Sequence, residues 1–204
     1  MTRIIAVLLL LLPNFQYSLG QDTLVSQVPD TVATKLDTMA IPLPSTSFDA
    51  PPGPDHPPLS AIQLQREKWY YSIDEAMREP DKVVKLSLKD QGFKYFPTEI
   101  TYFRNLQILN LSGNKIKEIP GSIGDLSNLT VLILTDNKIR FLSDKMAKLD
   151  NLTQLYLANN KLVDMPAWLG GLGRLRKLDL AYNNLTAYDI ALLQYRLPRC
   201  EVTH

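Results

Sequence analysis

The chain has 204 residues, of which 45% are apolar and 21% charged, with a formal net charge of +1. Those proportions belong to a soluble globular protein, and the near-neutral balance gives no global reason to expect nucleic acid or a membrane surface as partner. The single cysteine, Cys200, excludes an internal disulfide, and two histidines, His56 and His204, leave little for acid–base, triad or metal-site chemistry.

Residues 1–20 begin Met1-Thr2-Arg3, continue with an apolar run from Ile4 to Leu12, and end in polar and small residues at Ser18-Leu19-Gly20. A basic start, a short apolar core and small residues at −3 and −1 predict a secretory signal peptide cut after Gly20. The nine-residue apolar run is too short for a spanning helix, which needs about 20 residues. The expected mature chain starts at Gln21, has no membrane span, and is secreted, periplasmic or at the cell surface.

Residues 21–61 change character. Eight prolines fall between Pro29 and Pro58, and no helical or strand period is present. One base against five acids gives this segment a net −4, while the chain from Ile62 on carries +4. The composition predicts an extended, disordered tether. Residues 62–82 read as an amino-terminal cap. Within it, Ser72-Ile73-Asp74-Glu75 has capping-box spacing and predicts a short helix ending before Pro80. Trp69, Tyr70, Tyr71 and Met77 are expected to cover the open end of the segment that begins at Val83.

From residue 83 to the end the sequence repeats every 23 residues. Val83, Leu106, Leu129, Leu152 and Leu175 align. So do Leu86, Leu109, Leu132, Leu155 and Leu178, and two residues on Leu88, Leu111, Leu134, Leu157 and Leu180. Asn114, Asn137, Asn160 and Asn183 come next in register, with Gln91 in the first repeat, and further apolar positions complete each unit. The pattern L-x-x-L-x-L-x-x-N-x-L resembles the leucine-rich repeat family. Pro97, Pro120 and Pro166 give it the look of the short, Leu-Pro-containing type, while Ser143 and Asp189 depart from that proline. The signal, tether and compact repeat block together resemble an exported bacterial member.

The resemblance implies an α/β solenoid of about five repeats. Parallel strands would line its concave face, and helical caps would close both ends. The spacing supports that arrangement. Leu-x-Leu alternates along a strand, so both leucines face one side, and each repeat needs its neighbours to finish burying its apolar set. The asparagine column is expected to bond backbone groups of the turn that would otherwise be buried unpaired. At the far end, Thr186-Ala187-Tyr188-Asp189 predicts a second capped helix, stopped by Pro198, with a last edge strand at Cys200-Glu201-Val202.

Residues between the strand leucines carry no core duty, and on the concave face they form columns. Lys85, Ile108, Val131, Gln154 and Lys177 make one; Ser87, Asn110, Ile133, Tyr156 and Asp179 the next; Asp90, Gly113, Asp136, Asn159 and Tyr182 lie further along. Ile108, Val131, Ile133 and Tyr156 form an apolar centre with Tyr182 nearby and Lys85, Lys177 and Asp179 at its rim. That composition is how protein interfaces are built, although β-branched residues also simply suit strands. The candidate partner-binding set is therefore Ile108, Asn110, Val131, Ile133, Gln154, Tyr156, Lys177, Asp179 and Tyr182. A column of Lys115, Lys138 and Lys161 could meet an acidic partner or be a solvated edge. Four N-x-[ST] sequons occur, at Asn110, Asn128, Asn151 and Asn184.

The functional expectation is an exported, non-enzymatic module binding a protein or peptide, with no cofactor and no nucleic acid. A monomer is expected, with a Cys200 link between chains left open. Two alternatives stand beside it: a structural component of an envelope or matrix, and an intracellular scaffold or signalling regulator if residues 1–20 are not a signal.

Overall fold

A computed structural model describes residues 57–204; the leader and most of the proline-rich segment lie outside the described residues. Seven strands form a single parallel sheet in strict chain order. They are β1 (Trp69–Tyr70), β2 (Lys85–Ser87), β3 (Ile108–Asn110), β4 (Val131–Ile133), β5 (Gln154–Tyr156), β6 (Lys177–Asp179) and β7 (Glu201–Thr203). The chain crosses back between strands through short 3₁₀ helices at Thr98–Tyr102, Gly121–Asp125, Asp144–Lys148 and Ala167–Gly171. An open parallel sheet with a crossover after every strand is the α/β solenoid that the 23-residue period predicts.

Register explains the period. Lys85 pairs with Ile108, Ile108 with Val131, Val131 with Gln154 and Gln154 with Lys177, so every internal step is one repeat. The last step, Lys177 to Glu201, is one residue longer because helix α3 (Ala187–Arg196) replaces the 3₁₀ crossover. Between the layers lies one continuous core that includes Leu86, Leu109, Leu132, Leu155 and Leu178, all fully buried. Burial of a Leu side chain contributes roughly 1.5–3 kcal/mol, and stacking repeats sums that term along the solenoid.

The asparagine column closes each turn in the same way. Asn137 donates through Nδ2 to the carbonyls of Leu134 (3.0 Å), Thr135 (3.3 Å) and, one repeat back, Leu111 (2.9 Å). Its Oδ1 accepts from the N–H of Ile116 at 3.0 Å. Asn114, Asn160 and Asn183 repeat the pattern, each stitching its own turn to the preceding repeat. Gln91, at the equivalent place in the first repeat, is exposed and donates to the Tyr71 carbonyl at 2.7 Å, tying the repeat to its cap.

Both ends are capped. Helix α1 (Ala61–Arg66) starts from a Ser60 capping box. Leu59 N–H donates to the Gln107 side chain at 3.0 Å, which fastens this segment to the repeats. Helix α2 (Ile73–Ala76) has the Ser72 cap, but the Glu75 carboxylate accepts from Tyr71 rather than closing the box on Ser72. Of the expected covering residues, Tyr70 is buried and Trp69 half-buried, both in a short strand that the sequence pattern does not announce. Tyr71 and Met77 are exposed, and Ala76 is buried in their place. At the other end, Thr186 and Asp189 form a full capping box on α3, and β7 adds the edge strand.

Candidate functional site

The outer face of the sheet is built by residues that alternate with the buried leucines. In β3 to β6 the burial alternates partly exposed, buried, partly exposed, so the two flanking side chains of each strand point away from the core. Parallel register places Ile108, Val131, Gln154 and Lys177 in one row and Asn110, Ile133, Tyr156 and Asp179 in the next. Neighbours in a row are separated by about 4.8 Å. The aliphatic trio Ile108, Val131 and Ile133 is therefore contiguous, and Tyr156 lies beside it.

Tyr156 is held from two sides. Its hydroxyl donates to Gln154 Oε1 at 2.8 Å, and the Lys177 ammonium sits 5.7 Å from its ring centroid. A cation over an aromatic face is favourable, and the hydrogen bond fixes the ring, so an aromatic anchor is presented with little entropy left to lose. Asn110 and Asp179 have a second occupation. Asn110 Oδ1 accepts from Ser112 N–H and hydroxyl at 2.9 and 2.7 Å, and Asp179 Oδ1 accepts from Ala181 N–H at 3.2 Å. Each stabilises the turn out of its strand.

Lys85 differs from the rim position expected of it. The amino-terminal cap covers it: it is only 4% exposed, with its ammonium 5.2 Å from the Trp69 ring centroid. The strand β1 responsible was not legible, because two residues leave no alternation to read. Of the sequons, Asn128 is buried and Asn151 Nδ2 donates to Ser127 at 2.8 Å, so these amides are engaged in the fold, whereas Asn184 is exposed.

The next column holds a feature the outward pattern concealed. Asp90, Gly113, Asp136, Asn159 and Tyr182 all have φ between 53° and 69°. Every repeat thus takes one left-handed residue between strand and asparagine. Gly, Asn and Asp tolerate that conformation, and the identities Asp, Gly, Asp and Asn were the available signal. Tyr182 is the exception, a bulky side chain in left-handed backbone and 85% exposed. Asn159 Nδ2 bonds Asp136 Oδ1 at 2.6 Å across two of these turns.

The family described as leucine-rich repeat region matches residues 84–195. The chain belongs to the leucine-rich repeat family. Among solved structures, a leucine-rich-repeat protein of Leptospira interrogans is 30% identical with a TM-score of 0.61, over 68% of this chain and 35% of that one. Internalin C2 of Listeria monocytogenes is 25% identical with a TM-score of 0.53, over 60% of this chain and 52% of that one. This chain thus spans about a third of the first and about half of the second. No curated protein matches the sequence.

A leucine-rich repeat suggests a protein-interaction module. No described helix is long and apolar enough to cross a membrane, and no described cluster of His, Cys, Asp and Glu could hold a metal ion.

Proposed function

We propose that this leucine-rich repeat chain is an exported, non-catalytic binding module that holds a protein or peptide on the concave strand face. The observation that carries the reading is the immobilised Tyr156, braced by Gln154 and Lys177 beside Ile108, Val131 and Ile133. A rigid aromatic next to an aliphatic patch, with charged and polar groups around it, is the composition of an interface hot spot. Tyr182 extends the aromatic surface. Lys177 and Asp179 supply charge of both signs at one end, which selects partner orientation more than affinity. Export rests on the basic, apolar and small-residue pattern of residues 1–20.

The monomer is the reading that Cys200 supports. The thiol is partly buried, and burial pushes its pKa up, away from the reactive thiolate.

Affinity capture from envelope and culture-medium fractions tests the binding face. The baits are the full chain and the same chain carrying Ile133→Asp and Tyr156→Asp, with circular dichroism showing both folded. A partner retained only by the unaltered bait is expected. Equal retention by both removes the concave face from consideration. Sequencing of the mature amino terminus checks export; Gln21 is the expected first residue, and an uncleaved Met1 would favour the intracellular alternative.

A further inference from the structure

A second outward surface lies on the chain segment just after each asparagine. There the repeats form another ladder: Lys115 N–H donates to the Phe93 carbonyl at 2.7 Å, and Lys138 to Ile116 and Lys161 to Ile139 at 2.8 Å. Glu118 and Phe141 pair in parallel on it. The register stacks Lys115, Lys138 and Lys161 in one column and Lys94, Lys117 and Arg140 in the adjacent one, all exposed. None of the six forms an ion pair among the described residues. Both columns then stop, at Asn184 and Val163, so the charge is a bounded patch. Stacked like charges at about 4.8 Å repel one another, and a matching anion would relieve that repulsion.

Two aromatic rings interrupt the cations. Tyr95 and Phe141 are 81% and 57% exposed and belong to the column Tyr95, Glu118, Phe141, Asp164. Beside Tyr95 lies a cleft of about 280 Å³ whose walls include Lys94, Lys117, Glu118, Thr98, Ile119 and Pro120. It offers an aromatic face, two ammonium groups, a carboxylate and a hydroxyl. The backbone N–H groups of Lys115, Lys138 and Lys161 are spent within the ladder, so along this column a ligand meets side chains rather than free amides.

We propose that this basic edge binds an acidic polysaccharide, with Tyr95 stacking on a sugar ring. Lys94 and Lys117 pair with the ring's carboxylate or sulfate, and Glu118 and Thr98 accept hydrogen bonds from its hydroxyls. Lys115, Lys138, Arg140 and Lys161 carry the charge pairing along the polymer. Glu118 in the cleft wall separates a polysaccharide from other polyanions, because it accepts from the hydroxyls that a sugar ring offers and that the repeating units of oligodeoxythymidine and poly-glutamate lack. This surface is independent of the strand face, so either can fail without the other.

The test is binding of the full chain to alginate, dextran sulfate and neutral dextran, with poly-glutamate and single-stranded oligodeoxythymidine as other polyanions, across a salt series. Binding to alginate or dextran sulfate and none to dextran is expected, and the better of the two identifies carboxylate or sulfate as the paired group. Lys94→Glu with Lys117→Glu is expected to weaken that binding by about tenfold or more. The matched charge change Lys148→Glu with Arg199→Glu leaves it near the unaltered value. Tyr95→Ala is expected to weaken it about fivefold without altering the slope of affinity against salt. Circular dichroism confirms that each variant is folded. Equal binding of poly-glutamate or oligodeoxythymidine overturns the proposal, as does a Tyr95→Ala chain that binds like the unaltered one, or equal losses in the two charge-reversed pairs.

Discussion

Inward and outward columns of this solenoid obey different rules although they alternate along the same strands. From β3 to β6 the inward residue is Leu109, Leu132, Leu155 and Leu178, the same side chain four times and fully buried each time. The outward residue beside it is Asn110, Ile133, Tyr156 and Asp179, four different chemistries in equivalent places. Stacking dictates the first column, because each leucine lies in the one core that neighbouring repeats complete. Nothing in the stacking dictates the second. Substitutions inward should therefore act on stability, and substitutions outward on recognition.

The strongest way to break that contrast is at a polar residue that behaves as an inward one. Asn137→Ala leaves the buried Ile116 N–H without its acceptor and takes one of two donors from the Leu111, Leu134 and Thr135 carbonyls, which keep Asn114, Asn160 and the Gly113 N–H. An unsatisfied buried group costs roughly 1–3 kcal/mol and the three weakened carbonyls add less, so a loss of about 2 kcal/mol is expected. Urea unfolding of the full chain measures it. A loss below about 1 kcal/mol would mean that water replaces the amide freely and that the asparagine column is dispensable.

How far this division could be read from sequence depended on repetition. The inward leucines, the asparagines and the crossovers recur at one spacing, so each repeat vouches for the others. The two ends recur nowhere. Trp69 and Tyr70 form a strand too short to show alternation, and that strand buries Lys85, which periodicity alone had placed outside. The capping residues Ser72 and Thr186 were legible because their partner lies three residues on, a local signal, whereas the Ser60 cap, at the end of a proline-rich stretch without helical period, was not. The left-handed column was hidden for a different reason: its residues are polar for backbone geometry rather than for solvent, and the two causes leave the same letters. The outward columns gave the composition of a surface, while the bracing of Tyr156 by Gln154 and Lys177 depends on cross-strand neighbours and required the fold.

Tyr182 sharpens the contrast because stability and recognition should move in opposite directions there. A non-glycine residue in left-handed backbone costs roughly 1–2 kcal/mol, less for asparagine. Its ring, being 85% exposed, recovers little by packing. Tyr182→Asn is expected to stabilise the chain by up to about 1 kcal/mol while weakening retention of the concave-face partner. Strain kept at a recognition surface is understandable if the side chain contributes to binding. Thermal unfolding and capture by the same variant measure the two effects together. A variant that is destabilised would show that the ring packs on the solenoid.

The smallest effects distinguish the two caps. Glu75 is held below its ordinary pKa first by the hydrogen bond from the Lys68 ammonium, 2.7 Å away, and then by the Tyr71 N–H. Asp189 is held below its ordinary value by the Thr186 hydroxyl and N–H, which are neutral donors. Both are carboxylates with depressed folded pKa values. Each therefore contributes stability that is present above its unfolded pKa and is lost as pH falls through its folded one. Glu75→Gln and Asp189→Asn should each lower the Tm slightly at pH 7, and each difference should vanish in strong acid. Salt separates them. The Lys68 contact is an exposed ion pair that screening weakens, whereas the Thr186 donors carry no net charge. At about 1 M salt, where the Debye length is about 3 Å, the Glu75→Gln difference should largely disappear while that of Asp189→Asn persists. If salt erases both equally, the carboxy-terminal cap rests on long-range charge rather than on its hydrogen bonds.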